Sequence, residues 1–343
     1  MKSRKVYFSI LTFAVTMLCI PPLIFAGAKD RLEKSYSCER GGRVTLQNVA
    51  GDIFVKGWAK DQVEITAMHS GGPKKDLAQV VHISKTNGNI RIRTISDKSF
   101  SLFGSTRTSV YYELLVPVST HLRVETTSGN VEILDFNGSL EVRTVSGDIK
   151  ITSVKSSIKC KTISGDIYLE KIMGDTEVNT TSGDVTIKDL KGSFEGDSVS
   201  GDMDLKKIMG NADLKTTSGE VTVHDLKGSF EAESVSGDID VKSFSRAEEI
   251  KIETVSGDIS VEGIPVPNGS YTLRSHSGTV AVVVPSESGF ELQTKTSSGD
   301  IDCDFELKGY VKSDSQLLQG IVGKGDSTLN ISTFSGDIHI NKH

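Results

Sequence analysis

Seven acidic side chains recur at near-constant intervals: Asp148, Asp166, Asp184, Asp202, Glu220, Asp238 and Asp258. Each follows a glycine, in the tripeptide Ser-Gly-Asp or Ser-Gly-Glu. If these residues stack, the chemistry open to them is cation binding, because a column of like charges repels itself and a bound Ca²⁺ relieves the repulsion. Ca²⁺ takes roughly six to eight oxygen ligands, and calcium-binding β-rolls use a denser Gly-Gly-x-Gly-x-Asp pattern. One glycine and one acid per turn bring too few oxygens together. The expectation is therefore turn capping in solvent, with no metal and no cofactor: glycine takes positive φ freely, and Ser and Asp side chains bond to nearby backbone.

Other reactive side chains form no constellation. His69, His82, His121, His224, His276, His339 and His343 are scattered, none paired at metal-ligand spacing. Beyond the first 28 residues the cysteines are Cys38, Cys160 and Cys303, an odd number with no CxxC. Cys160 and Cys303 fall in inward-facing repeat slots, which favours small buried thiols. A Cys38–Cys303 disulfide is the alternative that an oxidising compartment permits. No Ser/His/Asp set stands out from the Ser- and Asp-rich background. A β-helical polysaccharide-acting enzyme would need carboxylates held at a defined separation in a groove. The uniform short turns leave no loops to wall one, and Tyr168 is nearly alone as an outward aromatic. The chain is read as not an enzyme.

The elements that position these residues come from a repeat. The turn glycines fall at 129, 147, 165, 183, 201, 219 and 237, a step of 18, and continue at 257, 278, 299 and 336 with looser spacing. Gly51 and Gly88 mark degenerate earlier copies. A second punctuation lies halfway, at Gly138, Ser156, Gly174, Gly192, Gly210 and Gly228, so each unit is two short arms closed by turns. Apolar residues alternate along each arm, as in Ile149/Ile151, Ile167/Leu169 and Val185/Ile187, which is the pattern of strands with one buried face. In the other arm a large residue tends to sit beside a small one, as in Phe194/Gly196 and Phe230/Ala232, as expected of side chains sharing a narrow core. The slot before each turn is Thr or Ser (Thr144, Thr162, Thr180, Ser198, Thr216, Ser234), and stacked hydroxyls there are expected to hydrogen-bond along the column.

Two short strands cannot bury a face alone, so the units must stack. The fold expected is an all-β parallel β-solenoid, a β-helix with two short strands per 18-residue coil; roughly 15 coils at the inter-strand spacing give a rod of about 70 Å. A β-propeller or stacked antiparallel hairpins is the alternative, but propeller repeats run to about 40 residues. The divisions expected are a signal peptide at 1–28, irregular β coils and a cap at 29–124, regular repeats at 125–260, and irregular coils and a cap at 261–343.

Lys2, Arg4 and Lys5 precede an apolar run to Phe25, and Ala26-Gly27-Ala28 fits a signal-peptidase site. The protein is expected to be exported, to the periplasm, cell surface or medium. Taking those three positive charges from a net −6 leaves −9. An acidic mature chain has no electrostatic reason to bind nucleic acid or anionic lipid, and no second apolar run is long enough to span a bilayer.

The segment GRVTLQNVAGDIFVKGWAKDQVEITA at 42–67, the stretch YYELLVPVSTHLRVETTSGNVEI at 111–133 and the closing STLNISTFSGDIHI at 327–340 resemble the bacterial "putative adhesin" family of β-strand repeat proteins of unknown function. The resemblance covers nearly all of the mature chain, implies surface adhesion and supplies no catalytic residues. Two breaks in the repeat stand out. Residues 97–110 carry Phe100, Leu102 and Phe103, which are the partner-binding candidates; residues 305–326 carry Tyr310, Leu317, Leu318 and Ile321. Either break could instead cover a solenoid end. The expected function is a non-catalytic cell-envelope or surface module, adhesin-like in binding or scaffolding, whose partner is an envelope or surface protein or glycan. The alternative is a purely structural spacer.

Overall fold

The computed structural model of the chain describes residues 31–71, 76–95, 108–314 and 316–343. The signal segment 1–28 and the candidates Phe100, Leu102 and Phe103 lie outside the described residues.

Period-two arms with a turn at each end wind into a parallel β-solenoid. One arm of every coil joins a 15-stranded sheet and the other a 16-stranded sheet. Through the body the pairing is parallel and matches equivalent repeat slots: Ile149 lies beside Ile167 in the first sheet, and Leu140 beside Ile158 in the second. This register excludes stacked antiparallel hairpins for the body. The alternating apolar residues form one core between the sheets, and Ile151, Leu169, Ile187, Leu205 and Val223 are all fully buried.

The backbone shows why the turn residues recur. Gly165 has φ +139°, and a Cβ built there would lie 2.2 Å from the Gly147 carbonyl oxygen of the preceding coil. Only glycine lets the turns stack this closely. Asp follows because its side chain caps the next coil: the Asp148 carboxylate accepts the Asp166 backbone N–H at 3.0 Å, Asp166 accepts that of Asp184 at 2.9 Å, and Asp184 that of Asp202 at 2.9 Å. Asn130 does the same for Asp148 with an amide oxygen. The ladder lapses after Glu220, whose longer side chain accepts from Thr222 at 3.3 Å instead. Glu220→Asp is therefore expected to restore a cap on Asp238 and raise stability by about 0.5–1.5 kcal/mol. Asp166→Ala should lose a similar amount while Asp166→Asn loses little. Urea melts of the three variants check this.

A second device sits in the first sheet. Ser153, Lys171, Asp189, Lys207, Asp225 and Ser243 all have φ between 56° and 64°. This left-handed residue in each coil turns the following apolar side chain (Val154, Ile172, Leu190, Ile208, Leu226, Phe244) into the core.

The expected hydroxyl ladder does not form. The hydroxyls of Thr144, Thr162, Thr180, Ser198 and Ser234 are buried without a hydrogen-bond partner. Those that bond use turn carbonyls: Ser275 donates to Gly257 at 3.1 Å and Thr333 to Gly278 at 3.2 Å. Stacked equivalents repeat at the strand spacing of about 4.8 Å, beyond the roughly 2.8 Å of a hydroxyl–hydroxyl bond.

At both ends the stacking order leaves the chain order. The coil of Arg43–Gln47 and Ile53–Trp58 sits directly against the coil that begins at His121, with Asn89–Thr94 and Ser109–Pro117 outside it. The last coil, Thr328–Ser335 and Ile338–Lys342, slots between Ser270–Ser277/Val280–Val284 and Phe290–Lys295/Ile301–Cys303. Antiparallel strands then cover the edges. Arg31–Ser37 and Gln62–Gly71 pair antiparallel at the N-terminal end, and Lys308–Asp314 with Leu317–Val322 at the C-terminal end. The second break in the repeat, around Leu317, Leu318 and Ile321, is thus a cap strand on Phe290–Lys295. Such covering removes open strand edges. A buried polar cluster ties the N-terminal coils: Thr94 donates to Asn48 at 2.9 Å and lies 2.6 Å from the Tyr112 hydroxyl. Burial raises the Tyr112 phenol's pKa.

Cys38, Cys160 and Cys303 are all free thiols. Cys38 belongs with the N-terminal coils and Cys303 pairs at the far edge of the first sheet, so the stack separates the two and no bridge joins them. Cys160 is fully buried, while Cys303, placed inward by the repeat, is only partly covered.

Candidate functional site

Short turns and stacked strands leave four long outward surfaces: two sheet faces and two turn edges. The second sheet's face carries the mixed charges of the repeat, some paired between coils, while Glu177, Glu195, Asp213 and Glu231 stack as consecutive acids. Arg123 pairs with Glu141 at 3.1 Å, Lys159 with Glu177 at 2.5 Å, and Lys251 with Glu231 at 2.7 Å. The Lys159 hydrogen bond lowers the Glu177 carboxyl's pKa. An open groove of about 1030 Å³ runs along this face past Arg123, Lys159, Glu177, Glu195 and Asp213. On the first sheet, Tyr168 donates to Glu170 at 3.0 Å, and Lys188 lies 5.2 Å from its ring centroid. Partial burial and Glu170 push that phenol up to about 12.

The Ser-Gly-Asp edge holds a feature that sequence reasoning missed. Two residues before the turn glycine, Val145, Ile163, Val199, Val235 and Val255 stand 45–53% exposed. The strand register aligns them in one column, with Thr181 and Thr217 between. Threonine inward and valine outward at the next position continue the alternation, so this stripe lies outside the core by strand geometry. The signal was available: apolar residues recur at this slot, where the solvent side of a strand calls for polar ones.

The stripe ends in an aromatic stack. Val255 lies one strand from His276, because Thr254 and Ser256 pair with Ser275 and Ser277. His276 lies one strand from Phe334, and their rings stack at 5.0 Å and 10°. Phe334 is 57% exposed. Around it a shallow depression of about 630 Å³ is lined by Val235, Val255, Arg274, His276, Lys295 and Phe334. It combines an apolar floor, an aromatic wall and a rim of mixed charge, in which Glu233 and Glu253 face Lys215, Arg274 and Lys295 and Arg274 pairs with Glu253 at 3.0 Å. Among the described residues no group of three or more His, Cys, Asp or Glu is placed to hold a metal ion. No described helix is long and apolar enough to cross a membrane.

Three solved structures are similar to the chain. One is a "putative lipid binding protein" from Parabacteroides distasonis ATCC 8503, at 12% identity over 92% of this chain and 98% of that one, with a TM-score of 0.34. A "putative adhesin" from Bacteroides fragilis NCTC 9343 is similar at 10% identity over 92% and 98%, with a TM-score of 0.27. A second "putative adhesin" from Parabacteroides distasonis ATCC 8503 is similar at 11% identity over 92% and 98%, with a TM-score of 0.32. No curated protein matches the chain. The Toastrack DUF4097 family matches residues 34–171, 171–264 and 266–341. Those three segments run through nearly every described coil, and the chain belongs to the Toastrack DUF4097 family.

Proposed function

We propose that this protein is an exported, non-catalytic, adhesin-like binding module of the cell envelope. Signal cleavage after Ala28 releases a mature chain of regular coils at 125–260 between two less regular capped ends. The reading rests on the exposed His276–Phe334 stack at the end of the Val/Ile stripe, since exposed aromatics are the usual anchors of binding surfaces. The adhesin names of the structural counterparts agree with it. The partner is an envelope or surface protein or glycan. Phe100, Leu102 and Phe103 form a second contact in this reading.

Binding of the purified mature protein to isolated envelopes tests it. Phe334→Ser combined with Phe100→Ser, Leu102→Ser and Phe103→Ser is expected to reduce binding at least tenfold with an unchanged melting temperature. Deleting residues 184–219, two whole coils, should leave binding nearly intact. Loss on the deletion with retention in the aromatic variant would favour a spacer, whose function depends on length.

A further inference from the structure

The net negative charge of the chain conceals a segregation that only stacking creates. On the Ser-Gly-Asp edge, Asp148, Asp166, Asp184, Asp202, Glu220 and Asp238 are exposed in six successive coils. None has a Lys or Arg partner among the described residues. The Val145, Ile163 and Val199 stripe lies beside them. The opposite flank, at the end of each first-sheet strand, is basic on balance: its two columns between residues 153 and 227 carry Lys155, Lys171, Lys191, Lys207 and Lys227 against Asp189 and Asp225. There the register places Met173 beside Lys191, Lys191 beside Met209 and Met209 beside Lys227. Lys155 opens this column by the same step, and Lys171 and Lys207 stand exposed next to it in the left-handed slot. Met173 and Met209 are 48% and 47% exposed. Lys155, Lys191 and Lys227 have no carboxylate partner among the described residues. A depression of about 450 Å³ lies among Lys191, Lys207, Met209 and Lys227, with Asp189 and Asp225 also in its wall; Lys207 pairs with Asp189 at 3.5 Å, which leaves Lys191 and Lys227 as its unpaired cations.

We infer that the basic Lys/Met flank of one molecule docks on the acidic Val/Ile edge of a second copy, so that solenoids associate side by side. Three properties fit this occupant. The two surfaces carry opposite net charge. Both repeat at the same inter-strand step of about 4.8 Å, so one aligned pair of rungs aligns its neighbours. Both also interleave charge with apolar side chains, and flexible Met side chains adapt to a ridge of Val and Ile, while Lys stems lie along it with their ammonium groups reaching the carboxylates. Self-complementary pairing of either surface with its own kind would set acid on acid or Lys on Lys. The contact is therefore heterologous and leaves a free edge at each end of the assembly. An anionic bilayer fits less well, since it would repel the acidic faces around the flank. Individual exposed pairs are weak and screened by salt, so association depends on many rungs and on ionic strength. This inference concerns different residues from the His276–Phe334 surface, and its failure leaves that reading standing.

Sedimentation velocity of the mature protein at about 20 mM and about 500 mM NaCl tests it, the two salts lying on either side of effective screening. Wild type is expected to form species beyond the dimer at low salt and to revert to monomer at high salt. Two variants isolate the surfaces. One carries Lys155→Gln, Lys191→Gln and Lys227→Gln. The other carries Asp148→Asn, Asp166→Asn, Asp184→Asn and Asp202→Asn, which removes charge but keeps the capping oxygen, as Asn130 does natively. Each alone should stay monomeric at low salt. Their equimolar mixture should give a heterodimer and nothing larger, because only one functional edge of each kind remains. A monomeric wild type at low salt overturns the proposal, as does a mixture that stays monomeric or grows beyond the dimer. Lysine-dependent co-sedimentation of a monomeric wild type with vesicles containing phosphatidylserine would overturn it in favour of a membrane surface.

Discussion

Gly165→Ala is expected to destabilise the solenoid by about 3 kcal/mol or more, because backbone strain and steric overlap add at one atom. Gly165 holds φ +139°, and its new Cβ would sit 2.2 Å from the Gly147 carbonyl oxygen. Neither side can yield. The Gly165 N–H is itself bonded to Ser182 of the next coil, and Gly147 repeats the same arrangement with Gly129. Gly41→Ala separates the two contributions: φ there is +76°, but nothing lies within 4 Å of the Cβ position, so strain alone applies and the loss should be about 1 kcal/mol. Urea denaturation of both variants measures the difference. Since each coil of a solenoid contacts only its neighbours, hydrogen exchange should show the Gly165→Ala defect concentrated in the adjoining coils. Equal losses at the two positions would show that close stacking of the turns is not what requires glycine.

Gly196→Phe should cost about 1–3 kcal/mol or more by overpacking, and adding Phe194→Gly should recover part of it. A Cβ on Gly196 would already lie 2.8 Å from two ring atoms of Phe194 and 2.9 Å from Leu214 Cδ2. The two positions therefore share one layer of core volume. Recovery is partial because Gly196 sits between Val178 and Leu214 in the sheet, whereas Phe194 sits between Thr176 and Ala212. The relocated ring meets larger neighbours than the native one. A double-mutant cycle in urea gives the coupling; a double mutant as unstable as the sum of the singles would place the two side chains in separate volumes.

The acid column shows what a repeat conveys and where it stops. Ser-Gly-Asp at a step of 18, with Ile and Val at alternate positions, carries the strands, their parallel register, the buried face and the capping role of Asp, because each follows from one coil placed on its equal. Large–small complementarity at Phe194 and Gly196 was legible for the same reason. Other features depend on contacts between segments remote in sequence. The coil 328–342 wedges inside the coil 290–303 rather than stacking after it, a choice made by competition between edges where the repeat is degenerate. The Thr and Ser hydroxyls were correctly placed inward, but their partners depend on the rung distance, which is too long for the expected ladder. Val145 and Lys155 lie ten residues apart in sequence, and only the winding of the coil sends them to opposite edges. A composition of net −6 carries no direction; stacking turns one acid per turn into an acidic edge and the lysines near the opposite turn into a basic one.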